Sequence, residues 1–213
     1  SSDYFEYFKK LIPSKIEYLP TNNWSQTLEF ARNRKCDILS LAVKTPLRSE
    51  YLNFTSPYLK LPLVIATKPT TPFISDIHDI LDEKIGVVKG HAYIELLKNK
   101  FPNIKLVEVR SLEEEFDKVL NNEIYGFLDS LASAGYDIQK DYLGNIKIAG
   151  KLDIELEIGV ATRNDEKELN SIFEKVVNSL TPKTHREILN KWVSVQYDKT
   201  FDSKQFFEIA ILI

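Results

Sequence analysis

The sequence predicts an α/β protein in which two lobes enclose a cleft. Two series of alternating helices and strands lead to this prediction, the first ending near residue 61 and the second beginning at Lys84. Alternation of this kind favours a mostly parallel sheet covered by helices. Two extended apolar segments, near 61–68 and 155–162, join the two series. Two units joined in this way predict a cleft, and ligands of parallel α/β sheets bind beyond the carboxyl ends of the strands.

The first series is short and rich in aromatic residues. Asn23 opens its second helix, in which Trp24, Leu28 and Ala31 recur at helical spacing and therefore face one side. The predicted elements of this series are a helix over 3–11, a strand over 14–19, a helix from Asn23, a strand over 38–43 and a strand over 61–67.

The second series alternates more regularly. A capping box at Ser111 to Glu114 starts one of its helices, because the serine and glutamate side chains can satisfy free backbone N–H groups there. The predicted elements are strands over 84–88, 104–109, 125–128, 146–149 and 154–161, with helices over 90–101, from Ser111, from Asp129, over 165–180 and from Thr181 to Val195.

The composition excludes several functions. The chain has 213 residues and a net charge of -3, with 28 basic and 31 acidic residues, and it shows no concentrated basic stripe. Nucleic acid is therefore not an expected partner. Cys36 is the only cysteine, which excludes an internal disulfide and a thiolate metal cluster, and the three histidines lack ligand spacing. We expect no cofactor, no metal and no catalytic nucleophile with its base.

The most informative position is Arg48. A buried strand over 38–43 is followed by Thr45 and Pro46, a good helix start, so Arg48 falls in the first turn of a helix. A cation is badly placed there, because the helix N-terminus already carries partial positive charge. A bound carboxylate would suit both the backbone donors and the guanidinium. The alternative is that Arg48 pairs with Glu50 or another surface acid.

The order of these motifs resembles the type II periplasmic solute-binding proteins, in particular the family that binds amino acids and related small polar solutes. The resemblance covers nearly the whole chain. The matching segments are Asn23-Trp24-Ser25, Asp37-Ile38-Leu39, Thr45-Pro46-Leu47-Arg48, Phe54-Thr55-Ser56-Pro57-Tyr58, Val88-Lys89-Gly90 and Phe127-Leu128-Asp129.

The resemblance implies a Venus flytrap fold in which each lobe is a mostly parallel sheet flanked by helices. It implies a discontinuous first lobe of residues 1–66 plus 162–200 and a second lobe of residues 67–161. Residues 201–213 would then be an apolar C-terminal segment, either the start of a transmembrane helix or an apolar helix packed on the domain.

The resemblance also implies a ligand site. Arg48 would hold the carboxylate of the solute, Asp129 its amino group, and Trp24 would lie against its side chain. The remaining candidates line the cleft or close over it from the second lobe: Leu41, Val43, Lys89, His91 and Ala92.

Each of these roles has a structural alternative. Asp129 is also a good helix N-cap, Trp24 has the spacing of a core residue, Lys89 suits a solvated surface, and His91 suits a helix start. Val43 stands where the family often has a small or hydroxyl residue, which weakens the case for an ordinary α-amino acid. The first central strand of the family's first lobe has no counterpart in this chain.

The segment FLDSLASAGYDI and the apolar end of the chain resemble the subset of the family that is fused to membrane signalling proteins. We therefore expect a periplasmic sensor domain that closes on a small solute, attached to an inner-membrane protein such as a histidine kinase or a diguanylate cyclase. The alternatives are the substrate-binding protein of an ABC transporter for amino acids and a dehydratase-like enzyme on the same scaffold. The sequence leaves open the ligand, the output domain and dimerisation of the full-length sensor.

Overall fold

The structure, a computed structural model, describes the backbone of residues 2–192 and the side chains of residues 3–190. The helices are α1 Ser2–Lys9, α2 Trp24–Arg32, α3 Pro46–Ser49, α4 Ala92–Lys100, α5 Leu112–Leu120, α6 Leu131–Asp141, α7 Lys167–Asn178 and α8 Pro182–Trp192. The strands are β1 Ile38–Val43, β2 Leu52–Phe54, β3 Leu59–Thr67, β4 Lys84–Val88, β5 Lys105–Val109, β6 Gly126–Ser130 and β7 Lys147–Arg163. A 3-10 turn spans Ile77–Ile80.

All seven strands belong to one curled mixed sheet. Its order is β1-β7-β3-β6-β4-β5, and β2 also pairs with β7. The long strands β3 and β7 run antiparallel to each other in the middle of this order. We call strands β1 and β2 with helices α2 and α3 the β1 half. We call strands β4, β5 and β6 with helices α4 to α6 the β5 half.

The expectation of mostly parallel sheets is correct for the β5 half only. Strands β4, β5 and β6 are parallel, because the helices α4 and α5 carry the chain back between them. Strand β7 returns along β1, β2 and β3, so all three pair with it antiparallel, and β3 also pairs antiparallel with β6.

Two predicted strand assignments are wrong. Residues 14–19 have the alternating pattern of a strand but form none, and Tyr18 and Leu19 are 58% and 50% exposed. An alternating segment becomes a strand only where a neighbour accepts its backbone hydrogen bonds, and within the described residues this segment makes no backbone-backbone bond. The two strands predicted over 146–149 and 154–161 are the single strand β7, because the alternation of buried and exposed side chains continues between them.

The helix starts that the sequence predicts are largely confirmed. Asn23 caps α2, Thr45 caps α3 with Pro46 in its first turn, and Ser111 caps α5. One start is wrong: the cap of α6 is Ser130, whereas Asp129 still belongs to β6. The strand therefore runs two residues beyond its predicted end at Leu128.

The core lies on both faces of the sheet. One buried cluster packs α1, α4 and α7 on β3 and β7, with Phe8 in edge-on contact with Phe5 and Tyr58. A second cluster lies under α5 and α6, around Phe116 and Phe127. Packing of helices on both faces leaves the strand ends, rather than the faces, available to form a site.

The predicted extension of the last helix to Val195, the end of the first lobe and the apolar segment 201–213 lie outside the described residues. Among the described helices, none combines the length and the apolar character that a membrane-crossing helix needs.

Candidate functional site

Arg48 is a buried cation at the end of β1. The Thr45 hydroxyl accepts the backbone N–H of Arg48 at 3.3 Å, which fixes the first turn of α3 and points the arginine side chain inward. The residue is only 5% exposed. Burial lowers the pKa of Arg48 below its ordinary value, and the nearby Tyr51 and Glu95 partly oppose that shift. An arginine remains charged even so, because its ordinary pKa lies far above neutral pH.

The guanidinium of Arg48 binds carbonyl oxygens and not a carboxylate. It donates to the Val43 carbonyl at 2.8 Å and to the Gly90 carbonyl at 2.8 Å. The alternative pairing with Glu50 is wrong, since Glu50 is exposed and the ion pairs of the described residues do not include Arg48. A buried cation that is bound only by neutral acceptors can attract an anion.

Gly90 is the point where the two halves meet. Its carbonyl accepts hydrogen bonds from Arg48 and also from the indole N–H of Trp24, at 3.1 Å. The Ser25 hydroxyl donates to the Lys89 carbonyl at 3.3 Å. Gly90 has φ +82°, and a Cβ there would lie 3.4 to 3.5 Å from Leu28, Ser25 and Trp24. A Cβ at these distances would make ordinary contacts, so glycine matters here for the left-handed backbone that turns its carbonyl toward Arg48.

Trp24 forms one wall of this contact. It is partly buried at the start of α2, and the Arg48 guanidinium carbon lies 5.5 Å from the centre of its ring. This is within the range of a cation-π interaction. Trp24 therefore contacts both Arg48 and Gly90, while it also packs on the small cluster formed by α2, β1 and β2.

His91 lies on the other side of Gly90. Its Nδ1 is 2.8 Å from the hydroxyl of Tyr93, and the two rings are in edge-on contact. Burial, and secondarily the charge of Arg48, lower the pKa of His91 to about 4. The imidazole is therefore neutral near pH 7 and offers one donor and one acceptor.

The other predicted ligand-site residues differ in which of their atoms, if any, take part in the contact around Gly90. Ala92 is buried at the first position of α4, and Lys89 exposes its side chain while its carbonyl accepts from Ser25. Leu41 and Val43 pack their side chains against the core, and Val43 contributes only its carbonyl to Arg48.

Asp129 and Arg48 share no hydrogen bond or ion pair among the described residues. It is 5% exposed near the end of β6, and its carboxylate accepts the backbone N–H of Ser130 at 2.6 Å. Burial raises the pKa of Asp129 to about 6, and the bonds from Ser130 and Ser133 oppose that rise. The charges of Tyr51 and Glu95 raise the pKa of Arg48. The charge of Asp129 instead raises the pKa values of Tyr93 and Glu115. The structure thus connects Asp129 to the contact at Gly90 through Tyr93 and His91.

Two residues near the site were not predicted. Tyr93 links His91 to the interior of the β5 half, and Glu115 lies buried beside Asp129. A sequence signal for Glu115 exists, because it stands three residues after Leu112 and four before Val119 and so faces the core with them.

Two grooves flank the contact. One of about 480 Å³ is lined by Arg48, Tyr51, His91 and Glu95, and another of about 400 Å³ by Trp24, Val88, Ser111 and Glu114 among others. A larger groove of about 620 Å³ lies between segment 15–19 and β1; Trp24 lines it, but Arg48 and the β5 half do not. We regard the first two as the relevant ones because they contain charged and hydrogen-bonding groups from both halves. No group of three or more His, Cys, Asp or Glu residues in the described part of the chain is arranged to hold a metal ion.

Comparison with known proteins finds a matching family and similar sequences. The sequence model of the bacterial extracellular solute-binding proteins, family 3, matches residues 1–195. The virulence sensor protein BvgS of Bordetella pertussis is 27% identical over 180 residues, which is 83% of this chain and 14% of that protein. The ABC transporter arginine-binding protein 1 of Escherichia coli is 26% identical over 155 residues, which is 70% of this chain and 62% of that protein.

The fold also matches a solved structure. The periplasmic VFT2 domain of Bordetella pertussis BvgS superposes with a TM-score of 0.81 at 22% identity, over 90% of this chain and 82% of that domain. The likeness confirms the predicted Venus flytrap fold. The chain spans about a seventh of the length of the BvgS proteins that it matches.

Proposed function

Because the chain belongs to the bacterial extracellular solute-binding proteins, family 3, we propose that it is the sensor domain of a membrane signalling protein and closes on a small solute that carries a carboxylate. As a member of an extracellular family it is an extracytoplasmic domain. The observation that carries the proposal is the buried guanidinium of Arg48, which bridges the β1 half and the β5 half through Gly90.

The chemistry of this bridge explains how a solute would act. A carboxylate with two acceptor oxygens can replace the Gly90 carbonyl on Arg48 and still receive the N–H group of Gly90 or Ala92, whereas those of Lys89 and His91 already donate to backbone carbonyls. Charged hydrogen bonds of this kind contribute roughly 1.5 to 3 kcal/mol each. A ligand shifts the equilibrium between open and closed forms only by its difference in affinity for the two. Contacts from both halves would provide that difference.

The lobes belong to the proposal as well. We propose a first lobe of residues 1–66 plus 162–200 and a second of residues 67–161, with β3 and β7 running through both. Two features support it. Strand β7 pairs with β1 and β2, β3 pairs with β6, and the pairing of β3 with β7 joins the two halves. Trp24, Ser25 and Arg48 also meet the turn at Gly90 from the opposite side.

The solute class follows from the charges around Arg48. An amino acid or a related zwitterion fits a site with one buried cation and with Glu95 and His91 nearby. The arginine-binding protein among the relatives supports this class, and it also favours a second function, the delivery of an amino acid to an ABC transporter. The BvgS relatives favour sensing, in which closure would pass to an attached membrane helix.

A thermal-shift screen across amino acids, polyamines and small carboxylates tests the proposal. We expect at least one carboxylate-bearing solute to raise Tm, and we expect Arg48→Ala to abolish that rise. Arg186→Ala is the matched control, because it removes an arginine from the exposed face of α8. If Arg48→Ala binds the solute as tightly as the unaltered domain, the site assignment is wrong.

A further inference from the structure

The carboxyl group of Glu115 lies in the interior of the β5 half without a hydrogen-bond partner among the described residues. It is 0% exposed on α5, and neither of its carboxyl oxygens has a hydrogen-bond partner among the described residues. Its Cγ lies 3.5 Å from the point where a Cβ on Gly86 would sit, so the side chain runs over β4. An ionised carboxylate cannot remain in such a place without a large desolvation cost, and the group takes up a proton instead.

A second carboxyl group lies on the same face of the sheet. Asp129 stands two residues after Phe127 on β6, so both side chains point to the α5 side. The Phe127 ring packs on Phe116, the neighbour of Glu115 on α5, with ring centroids 4.9 Å apart. Tyr93 of α4 completes the cluster, since the charges of both Asp129 and Glu115 raise the pKa of its hydroxyl.

The charges that face this cluster are all negative or neutral. Burial, and then the charge of Asp129, raise the pKa of Glu115 to about 10. Asp137 of α6 raises the pKa of Asp129 further beyond the effect of burial. Strand β4 presents Gly86, and no lysine or arginine within the described residues acts on either carboxyl. Two carboxyl groups in one buried site retain a proton at a pH where separate ones lose it.

The cluster is connected to the contact between the two halves. The Tyr93 hydroxyl lies 2.8 Å from His91, the residue that follows Gly90 in the closing turn. The first turn of α5 begins at Ser111, which lines the 400 Å³ groove together with Trp24. Trp24 and Arg48 cover the Gly90 carbonyl where the halves meet. Separating the halves would uncover Gly90 and His91 and so let water reach Tyr93, whose hydroxyl lies in the field of both carboxyl groups.

We propose that Glu115 and Asp129 form a proton-binding pair whose protonation favours the closed form of the domain. Closure excludes water from the turn at Gly90 and from Tyr93 behind it and so favours the neutral pair, whereas an open cleft hydrates Tyr93 and the two carboxyl groups and favours the ionised pair. By linkage, the form that binds protons more tightly is populated at lower pH. A proton then stabilises the same closed form that the solute stabilises. This inference rests on the proposed function because it assumes that the domain opens and closes.

The full 213-residue chain, studied without added solute, provides the test. We expect its radius of gyration by small-angle X-ray scattering to increase between pH 5 and pH 9. Glu115→Gln keeps the shape of the side chain but cannot ionise, so only Asp129 of the pair still titrates and this variant should expand less than the unaltered chain. Asp117→Asn is the matched control, because it removes a carboxylate from the exposed face of the same helix and should expand like the unaltered chain. A radius that is independent of pH in the unaltered chain overturns the proposal.

A direct titration makes the test independent of any variant. The side-chain carboxyl carbon of Glu115, followed by NMR in the unaltered chain, should titrate well above the ordinary glutamate value of 4.5. Folded protein then holds a proton that the unfolded chain has lost, so stability falls as pH rises between 4.5 and about 10. We expect Tm to fall between pH 5 and pH 8 by at least about 4 °C more in the unaltered chain than in Glu115→Gln, in which only Asp129 of the pair still titrates. An ordinary pKa for Glu115 overturns the proposal.

These readouts separate the proton site from the solute site. A screen that finds no solute, together with a pH-dependent radius, contradicts the proposed solute and supports the proton pair. A solute that binds through Arg48, together with a radius and Tm unaffected by Glu115→Gln, contradicts the pair alone.

Discussion

Replacing Trp24 by phenylalanine is expected to weaken the contact between the two halves, and it also removes some packing within the β1 half, where Trp24 contacts the cluster of α2, β1 and β2. The phenylalanine ring keeps an aromatic surface near Arg48 but has no N–H to donate to Gly90. The Gly90 carbonyl stays hydrogen-bonded to Arg48 at 2.8 Å, so no buried acceptor is left without a partner. The substitution therefore measures the closing contact itself.

The structure allows the size of the effect to be worked out. The bond that is lost, from the Trp24 indole to the Gly90 carbonyl, is 3.1 Å long and joins neutral groups, which is worth roughly 0.5 to 1.5 kcal/mol. Phenylalanine also attracts the cation of Arg48 less strongly than tryptophan does, by at most about 0.5 kcal/mol. A total of about 0.5 to 2 kcal/mol corresponds to a decrease of roughly 2- to 30-fold in the ratio of closed to open forms.

Single-molecule fluorescence transfer between dyes on the two halves measures that ratio. Leu47 on α3 and Lys98 on α4 are exposed and accept cysteine substitutions, with Cys36 replaced by serine. We expect the low-transfer population to increase in Trp24→Phe and to stay unchanged in Glu29→Gln, which alters an exposed side chain of the same helix. Equal populations in Trp24→Phe and the unaltered chain would refute the reasoning that these hydrogen bonds hold the halves together.

Two further predictions concern stability, and urea unfolding checks both. Gly126→Ala should destabilise the protein by about 1 to 3 kcal/mol, because its Cβ would lie 2.6 Å from a backbone carbonyl oxygen of β3. Gly135→Ala, on α6 with open space around it, should instead be neutral or stabilise by up to about 1 kcal/mol. Phe8→Ala should cost about 3 to 5 kcal/mol, since Phe8 is fully buried, whereas Phe73→Ala at a 75% exposed position should change stability by less than about 0.5 kcal/mol. Equal effects within either pair would contradict the packing described for them.

Local signals in the sequence predicted most of the elements correctly. The caps at Asn23, Thr45 and Ser111 stand where the helices start, because a cap acts on backbone groups two or three residues away. The place of Arg48 in the first turn of α3, directly after β1, follows from the same short-range chemistry. Its ligand role remains a prediction, and so do the roles of the other candidate residues.

Local sequence signals did not predict the pairing of segments that are distant in the chain. Segment 14–19 has the pattern of a strand, yet pattern alone does not supply a neighbouring strand to bind it. The direction of pairing was missed for the same reason, since β7 meets β1, β2 and β3 only through the return of the whole chain. Asp129 was expected to begin a helix because its side chain can cap one, but the pairing of β6 with β3 extends the strand through Ser130.

The sequence by itself determined an α/β protein of the solute-binding type, the chain order of its elements and a cation at the end of β1, since all of these depend on periodicity, caps and motif order. Only the tertiary structure decided that the Gly90 carbonyl meets both Arg48 and Trp24, and that Glu115 is enclosed beside Asp129. Both arrangements join residues from separate elements, and their energies depend on burial and on distances across the fold, which no local pattern contains.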